Sequence, residues 1–208
     1  MDFKIKKNGL KRLGIMGGTF DPIHYGHLVT AEAARTRFQL DQVVFVPSGR
    51  PPHKQHGTTD AQDRLFMTQM AIVTNPGFNL SDIEAKREGY SYSIDTVREF
   101  FDIYGPDLDL YFITGADAIL SITTWKDAGD LLNICTFIAA SRPGFDLAEL
   151  NKLPLAWLER IRLFEIPALA ISSTDIRRRV RQGDSIKYLL PEPVEHYILR
   201  NGLYREET

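Results

Sequence analysis

The chain has 208 residues, 43% hydrophobic and 25% charged, so it can bury a sizeable core and still present a charged surface. Its net charge of -2 and pI near 6.2 argue against a protein that binds nucleic acid through bulk positive charge. A single cysteine, Cys135, excludes a disulfide framework within the chain. Because we find neither a secretory signal nor a run of about 18 apolar residues, we expect a cytoplasmic protein without a membrane span.

Short apolar runs rich in β-branched residues recur along the chain and predict strands buried on both faces. These runs cover residues 12–16, 43–46, 110–114 and 135–139. Helical patterns lie between and after them, at 28–38, 62–73, 94–104, around 127–132, 174–181 and 191–200. This alternation predicts an α/β fold, a Rossmann-like open parallel sheet with helices on both faces.

We expect one domain over residues 1–208, with 1–10 as a short lead-in segment and a C-terminal helical part over about 172–208. In open parallel sheets ligands bind beyond the carboxyl ends of the strands. The loops that leave those ends should therefore carry the chemistry.

The loop after the first predicted strand has the sequence Gly-Gly-Thr-Phe-Asp-Pro-Ile-His-Tyr-Gly-His and leads into a helix. Paired glycines, Gly17 and Gly18, let backbone amides approach a phosphate, and the start of a helix adds partial positive charge. His24 and His27 are three residues apart, so both imidazoles can face one ligand, and Gly26 leaves room between them. The loop therefore predicts a site for a nucleotide phosphate.

Two other interpretations of this loop stay open from the residues alone. The glycines could simply make a turn beside a polar histidine pair, or the histidines could be half of a zinc site, which would need further ligands. A Walker A motif and a G-x-G-x-x-G fingerprint are both excluded, because no Gly-Lys-Ser/Thr follows and the glycine spacing differs.

A second polar cluster lies at the start of the helix predicted near residue 174. Ser172, Ser173 or Thr174 could cap this helix, and capping alone is the plainest interpretation. Four arginines crowd its first two turns: Arg177, Arg178, Arg179 and Arg181. Because the helix dipole disfavours cations at that end, a bound polyphosphate would explain their placement. We expect Arg177 to contact phosphate.

These two segments together resemble the nucleotidylyltransferase superfamily, whose signature is His-x-Gly-His after a Gly-rich strand end and a late Ser-Ser-Thr-x-x-Arg. Further blocks are similar to bacterial nicotinate mononucleotide adenylyltransferases. They are residues 17–28, 51–54, 92–96, 115–117 followed by Trp125, 141–144 and 171–177. One departure is Lys126, because a second aromatic residue often follows the tryptophan in that family.

The resemblance implies transfer of AMP from ATP to nicotinate mononucleotide, giving nicotinate adenine dinucleotide and pyrophosphate in NAD biosynthesis. It implies Mg²⁺ brought with ATP and no metal site built by the protein itself. The expected catalytic residues are His24, His27 and Arg177. The expected ATP-binding residues are Gly17, Gly18, Thr19, Phe20, Gly26, Gly115, Asp117, Ser173 and Thr174. The expected acceptor-binding residues are Lys54, Ser93, Trp125 and Arg142.

Within this scheme Asp117 would accept from the adenosine ribose, Trp125 would stack on the pyridine ring, and amides near Ser93 would take the nicotinate carboxylate. The alternatives are a pantetheine-phosphate adenylyltransferase, which usually carries threonine where His24 stands, and a nucleotide-binding regulator without turnover. An aminoacyl-tRNA synthetase is set aside because the chain is short and lacks a Lys-rich second signature loop. The expected partners are ATP and nicotinate mononucleotide, with no nucleic acid and no membrane, and a homo-oligomer stays open.

Overall fold

In a computed structural model of the chain, the structure describes residues 10–52, 58–142, 144, 150, 152–167 and 169–205. Within them, six strands form one sheet: β1 (Arg12–Gly18), β2 (Gln42–Pro47), β3 (Phe78–Leu80), β4 (Asp109–Gly115), β5 (Thr136–Ser141) and β6 (Ile161–Glu165). All neighbouring strands are parallel, in the order β3-β2-β1-β4-β5-β6.

The helices connect these strands and follow the last of them. They are α1 (Tyr25–Arg37), α2 (Ala61–Ile72), α3 (Ile83–Lys86), α4 (Ser93–Tyr104), α5 (Ala116–Leu120), α6 (Ala128–Ile134), α7 (Leu155–Leu158), α8 (Ser173–Gln182) and α9 (Glu192–Arg200), with a 3₁₀ turn at Ile122–Thr124. None of the helices in the described part of the chain is both long and apolar enough to cross a bilayer.

The sheet separates two apolar clusters, because successive strand side chains point to opposite faces. Along β1, Leu13 and Ile15 pack into one cluster with α4 and α6, whereas Met16 packs into the other. The second cluster contains buried residues of α1, α2, α8 and α9, such as Ile176 and Ile198. Helices therefore cover both faces, as the sequence predicted.

The order of the strands also creates the crevice where the predicted site residues gather. From β1 the chain proceeds outward through β2 to β3, and from β4 it proceeds in the opposite direction to β5 and β6. The loops after β1 and β4 consequently leave the carboxyl edge on opposite sides and open a space between them. Ligands of such sheets bind at this topological switch point.

Two strands were absent from the sequence-based prediction, and both lie at the edges of the sheet. β3 has only three residues, and in β6 only Ile161 is buried, while the other four residues are exposed or half-buried. Neither therefore shows the continuous apolar run that identified β1, β2, β4 and β5.

Candidate active site

Two cavities open at the carboxyl edge of the sheet, one on each side of the end of β1. The larger, of about 700 Å³, is lined by the histidine loop, the start of α5, the end of β5 and the start of α8. The smaller, of about 330 Å³, is lined by the ends of β1 and β4, the loop after β2, the start of α4 and the turn that carries Trp125. Thr114 lines the smaller cavity and the adjacent Gly115 the larger, so the two cavities adjoin at the end of β4.

His24 and His27 form a stacked pair at the edge of the larger cavity. Their ring centroids are 3.7 Å apart and the ring planes differ by 26°. His24 is buried, and its Nδ1 has no hydrogen-bond partner among the described residues. A Cβ atom at position 26 would lie 3.0 Å from that Nδ1 and from the ring Cε1, so Gly26 allows the pair to form.

Both histidines are held in the neutral form. Burial and the positive charge of Arg142 lower the pKa of His24 to about 4. Burial and the neighbouring His24 lower the pKa of His27 as well. The backbone N–H of His24 donates to His27 Nδ1 at 3.2 Å, so the proton of the neutral His27 ring is on Nε2. His27 can therefore offer an N–H donor to a phosphate oxygen without carrying charge.

The N-terminal end of α8 docks directly on the histidine loop. The Ser173 hydroxyl donates to the Pro22 carbonyl at 2.9 Å, and Arg177 Nη1 donates to the Asp21 carbonyl at 2.6 Å. Ser172 caps the helix by accepting from the Asp175 amide. Two motifs about 150 residues apart thus face one cavity, and the start of α8 adds partial positive charge to it.

The charge argument drawn from the arginines of α8 was wrong in part. The helix has ten residues, so Arg179 and Arg181 lie in its last turn, where cations are favourable. Arg178 and Arg179 also pair with Asp175 at 2.5 Å and 2.7 Å. Arg177 lines the larger cavity, but as the fifth residue of the helix it lies beyond the turn where the dipole acts strongly.

The smaller cavity has an aromatic wall. Trp125 packs edge-on against Phe112 at 5.8 Å and Phe137 at 6.0 Å, which fixes its ring beside the cavity. Tyr92 and Ser93, at the start of α4, line the same cavity. A cavity with an aromatic wall and the polar start of a helix can hold a flat ring that carries a polar substituent.

Comparison with known proteins shows which family the chain belongs to. A family model described as cytidylyltransferase-like matches residues 15–179, more than half of the chain. A protein of Moorella thermoacetica named "Probable nicotinate-nucleotide adenylyltransferase" is 62% identical over 199 residues, which are 93% of this chain and 92% of the relative. This chain belongs to the nicotinate-nucleotide adenylyltransferase family.

A further relative agrees with this assignment, and a solved structure shares the fold. A protein of the same name from Thermoanaerobacter sp. is 58% identical, covering 94% of this chain and 95% of the relative. The structure of Plasmodium falciparum nicotinic acid mononucleotide adenylyltransferase complexed with NaAD has a TM-score of 0.77 at 24% identity, covering 93% of this chain and 97% of that one. At that identity the likeness establishes the shared fold.

The structure distributes the predicted site residues between the two cavities. The larger cavity is lined by His24, Gly26, His27, Gly115, Asp117, Arg142, Ser173, Thr174 and Arg177. The smaller is lined by Gly17, Gly18, Thr19, Ser93 and Trp125. Arg142, expected among the acceptor-binding residues, adjoins the histidines in the larger cavity instead. Gly17, Gly18 and Thr19, expected among the ATP-binding residues with the histidine loop, line the smaller cavity. Phe20 is buried with its ring edge-on to His27, and Lys54 lies outside the described residues.

Arg64 lines neither cavity but supports loops of this site, a role that the sequence did not reveal. It is 1% exposed, and its guanidinium donates to three backbone carbonyls, those of Thr59, Thr19 and Gly49, at 2.9, 2.8 and 3.1 Å. These carbonyls belong to the loops after β1 and β2 and to the approach to α2. In the sequence Arg64 is one charged residue on a predicted helix, and no local signal marks partners 15 and 45 residues away.

Proposed function

We propose that the chain transfers AMP from ATP to nicotinate mononucleotide, forming nicotinate adenine dinucleotide and pyrophosphate as a step of NAD biosynthesis. The observation that carries this proposal is the pair of adjoining cavities, one with neutral histidines, Arg177 and a helix start, the other with an aromatic wall. A reaction that joins two nucleotides needs two such sites in contact. The names of the relatives, at 62% and 58% identity, support the same activity.

We assign ATP to the larger cavity and the acceptor nucleotide to the smaller. Arg177 and His24 would hold the polyphosphate, and His27 would donate from Nε2 to the α-phosphate. Asp117 lines the larger cavity as an exposed residue in the first turn of α5, where its carboxylate can accept from ribose hydroxyls. Trp125 would stack on the pyridine ring of the acceptor.

Donors to the phosphates complete the larger cavity. Thr174 presents its hydroxyl and amide groups from the start of α8, and Ser173 presents its amide, since its hydroxyl donates to the Pro22 carbonyl. The backbone of Gly17, Gly18 and Thr19 lies at the boundary with the smaller cavity, where it can contact the phosphates of either nucleotide. Arg142, beside the histidines, supplies a second cation.

In the reaction an oxygen of the acceptor phosphate forms a bond to the α-phosphorus of ATP. The bond from that phosphorus to the oxygen bridging to the β-phosphate breaks, and its electron pair leaves with pyrophosphate. The attacking oxygen is already an anion, so no side chain has to remove a proton. Catalysis then consists of holding two anionic groups in line and stabilising the developing charge, which the donors above can do.

The residues of the larger cavity fit a metal ion that is held mainly by the substrate. Asp117 is the one carboxylate among its described lining residues. The residues that the structure describes contain no group of three His, Cys, Asp or Glu side chains placed to bind a metal. We propose Mg²⁺ that arrives with ATP, coordinated chiefly by phosphate oxygens. It would neutralise charge on the phosphates and on the leaving pyrophosphate.

A coupled assay for pyrophosphate, with chromatography of the product, tests the proposal. The purified protein with ATP, Mg²⁺ and nicotinate mononucleotide should form the dinucleotide and pyrophosphate in equal amounts. If product forms with phosphopantetheine but not with nicotinate mononucleotide, the protein is a pantetheine-phosphate adenylyltransferase instead. Binding of ATP with no product from either acceptor would favour a regulator.

Replacement of His27 by alanine tests the catalytic assignment. His27→Ala should lower kcat/KM by an amount that corresponds to about 2–4 kcal/mol of lost transition-state stabilisation, because it removes one donor to the developing charge. The circular dichroism spectrum should be unchanged. His196→Ala, at an exposed position of α9, is the matched control and should keep the wild-type rate. Equal rates for the His27 variant and the control would contradict the role of His27.

A further inference from the structure

The charged side chains around the smaller cavity suggest how the acceptor is selected. Of its described lining residues, only Glu84 and Lys126 carry charge. Glu84 is 7% exposed, and its carboxylate accepts from the Thr96 hydroxyl at 2.6 Å, inside the wall of the cavity. Lys126, in contrast, is well exposed, so its ammonium lies at the mouth.

The ammonium of Lys126 is held at this mouth by two contacts. Nζ is 4.7 Å from the centre of the Tyr92 ring, a cation–π distance. It also donates to the two carboxylate oxygens of Asp95, in the first turn of α4, at 3.0 and 3.3 Å. An ammonium has three donors, so Asp95 leaves at least one N–H for another acceptor.

The position of Lys126 relates it to the acceptor's ring. It directly follows Trp125, the proposed platform for the pyridine ring, and its ammonium lies against Tyr92, the residue before Ser93, so it is close to both the platform and the start of α4. Nicotinate and nicotinamide mononucleotides differ only at the substituent of this ring, a carboxylate in one and a neutral amide in the other. A cation at the edge of the platform stabilises the first and not the second.

We infer that Lys126 is a specificity-determining residue, whose ammonium favours an acceptor with a carboxylate on its ring over one with a carboxamide. This inference rests on the proposed function. Asp95 opposes Lys126: it positions the ammonium but also neutralises part of its charge. Removing Lys126 leaves Asp95 unpaired at the mouth, where it repels a carboxylate. Removing the Asp95 charge leaves the Lys126 charge fully available.

Variants of the two partners separate recognition from a merely structural ion pair, because either change breaks the pair. The ratio of kcat/KM for nicotinate mononucleotide to that for nicotinamide mononucleotide should fall by about threefold to tenfold in Lys126→Met, a range typical of half-exposed charges. The fall should be mainly in the KM for nicotinate mononucleotide. The ratio should rise or stay unchanged in Asp95→Asn. The double variant should lie between Lys126→Met and the wild type, and the KM for ATP should not change.

Arg98→Met is the matched control, because Arg98 is an exposed cation of α4 that pairs with Asp130 instead. It should keep the wild-type ratio. Equal losses of selectivity in Lys126→Met and Asp95→Asn would show that the ion pair only supports the structure, and an unchanged ratio in Lys126→Met would also overturn the inference.

Calorimetric binding of the two mononucleotides gives a readout that does not depend on turnover. Wild-type protein that forms product from neither mononucleotide would refute the proposed function, and the binding preference of the wild type and Lys126→Met would then decide the role of Lys126 separately. Wild-type protein that is active, with Lys126→Met equally selective in both measurements, would refute only the role of Lys126.

Discussion

At the residue scale, the buried histidine pair of the larger cavity makes the free energy of unfolding depend on pH. An unfolded histidine takes up a proton near pH 6.5, whereas folded His24 resists protonation until about pH 4. Between these values the unfolded state binds more protons, so the free energy of unfolding falls as the pH falls. A histidine that is buried in its neutral form therefore makes the protein sensitive to acid.

Urea unfolding of the wild type and His24→Gln tests this dependence. Between about pH 7 and about pH 4.5 the wild type should lose about 2 kcal/mol more unfolding free energy than the variant, because glutamine has no proton to gain. His196→Gln controls for the loss of a histidine as such. Equal losses in the wild type and His24→Gln would mean that the ring is already accessible to protons in the folded state.

At the same scale, the sequence could predict which histidines converge but not their protonation. The His-x-Gly-His spacing places both rings near one helix start, and the structure brings them into contact. The proton on His27 Nε2 depends on a backbone donor at 3.2 Å, a distance that no spacing rule gives. Trp125 was found through the family resemblance alone, because a tryptophan in a sequence is more often a core residue.

At the scale of elements, α2 connects two loops through one buried side chain. The guanidinium of Arg64 satisfies the carbonyls of Thr19, Gly49 and Thr59, which have different positions in the chain but meet at the carboxyl edge of the sheet. A buried carbonyl without a donor costs free energy. Arg64 therefore fixes the loops after β1 and β2 relative to each other.

Replacement of Arg64 should loosen these loops. Arg64→Met should lower the free energy of unfolding by about 3 kcal/mol, since it leaves three carbonyls unpaired, and Arg64→Lys should be intermediate because an ammonium lacks the planar fork. Urea unfolding measures both. Arg181→Met, at an exposed position near the end of α8, should change stability by about 0.5 kcal/mol at most. A similarly small effect at Arg64 would mean that water replaces its contacts.

The elements also show what a sequence pattern can and cannot predict. The four central strands were predicted because burial on both faces demands a continuous apolar run, and β3 and β6 were missed because edge positions relax that demand. The longer helices were found, and the bounds predicted for α8, 174–181, lie within one residue of its observed ends. The error concerned the dipole: in so short a helix the second half is already the last turn, so Arg179 and Arg181 lie where cations are favourable.

At the scale of the whole molecule, the far end of the described chain supports the loop near its beginning. The Tyr204 hydroxyl donates to Asp21 Oδ1 at 2.8 Å, and the Thr59 amide donates to the other carboxylate oxygen at 3.3 Å. Asp21 is 2% exposed, and its own carbonyl accepts from Arg177. Burial and the Asp21 carboxylate raise the pKa of Tyr204, so the phenol stays protonated and remains a donor.

Tyr204→Phe tests this support with the loss of a single hydroxyl. It should lower the free energy of unfolding by about 1–2 kcal/mol, because a buried carboxylate oxygen loses its partner. It should also raise the KM for ATP, because Asp21 holds Arg177. Tyr188→Phe is the control, since Tyr188 is 80% exposed. A Tyr204→Phe variant with the stability and KM of the control would show that the segment after α9 does not support the site.

The contact between Tyr204 and Asp21 joins residues 183 positions apart, and it has a consequence for how the protein is made. Synthesis proceeds from the N-terminus, so the histidine loop leaves the ribosome well before Tyr204 does. The contact cannot close while Tyr204 is still inside the exit tunnel. The loop proposed to receive the nucleotide should therefore reach its final arrangement only after Tyr204 has emerged, so a nascent chain stalled before that point should bind ATP more weakly than the finished protein.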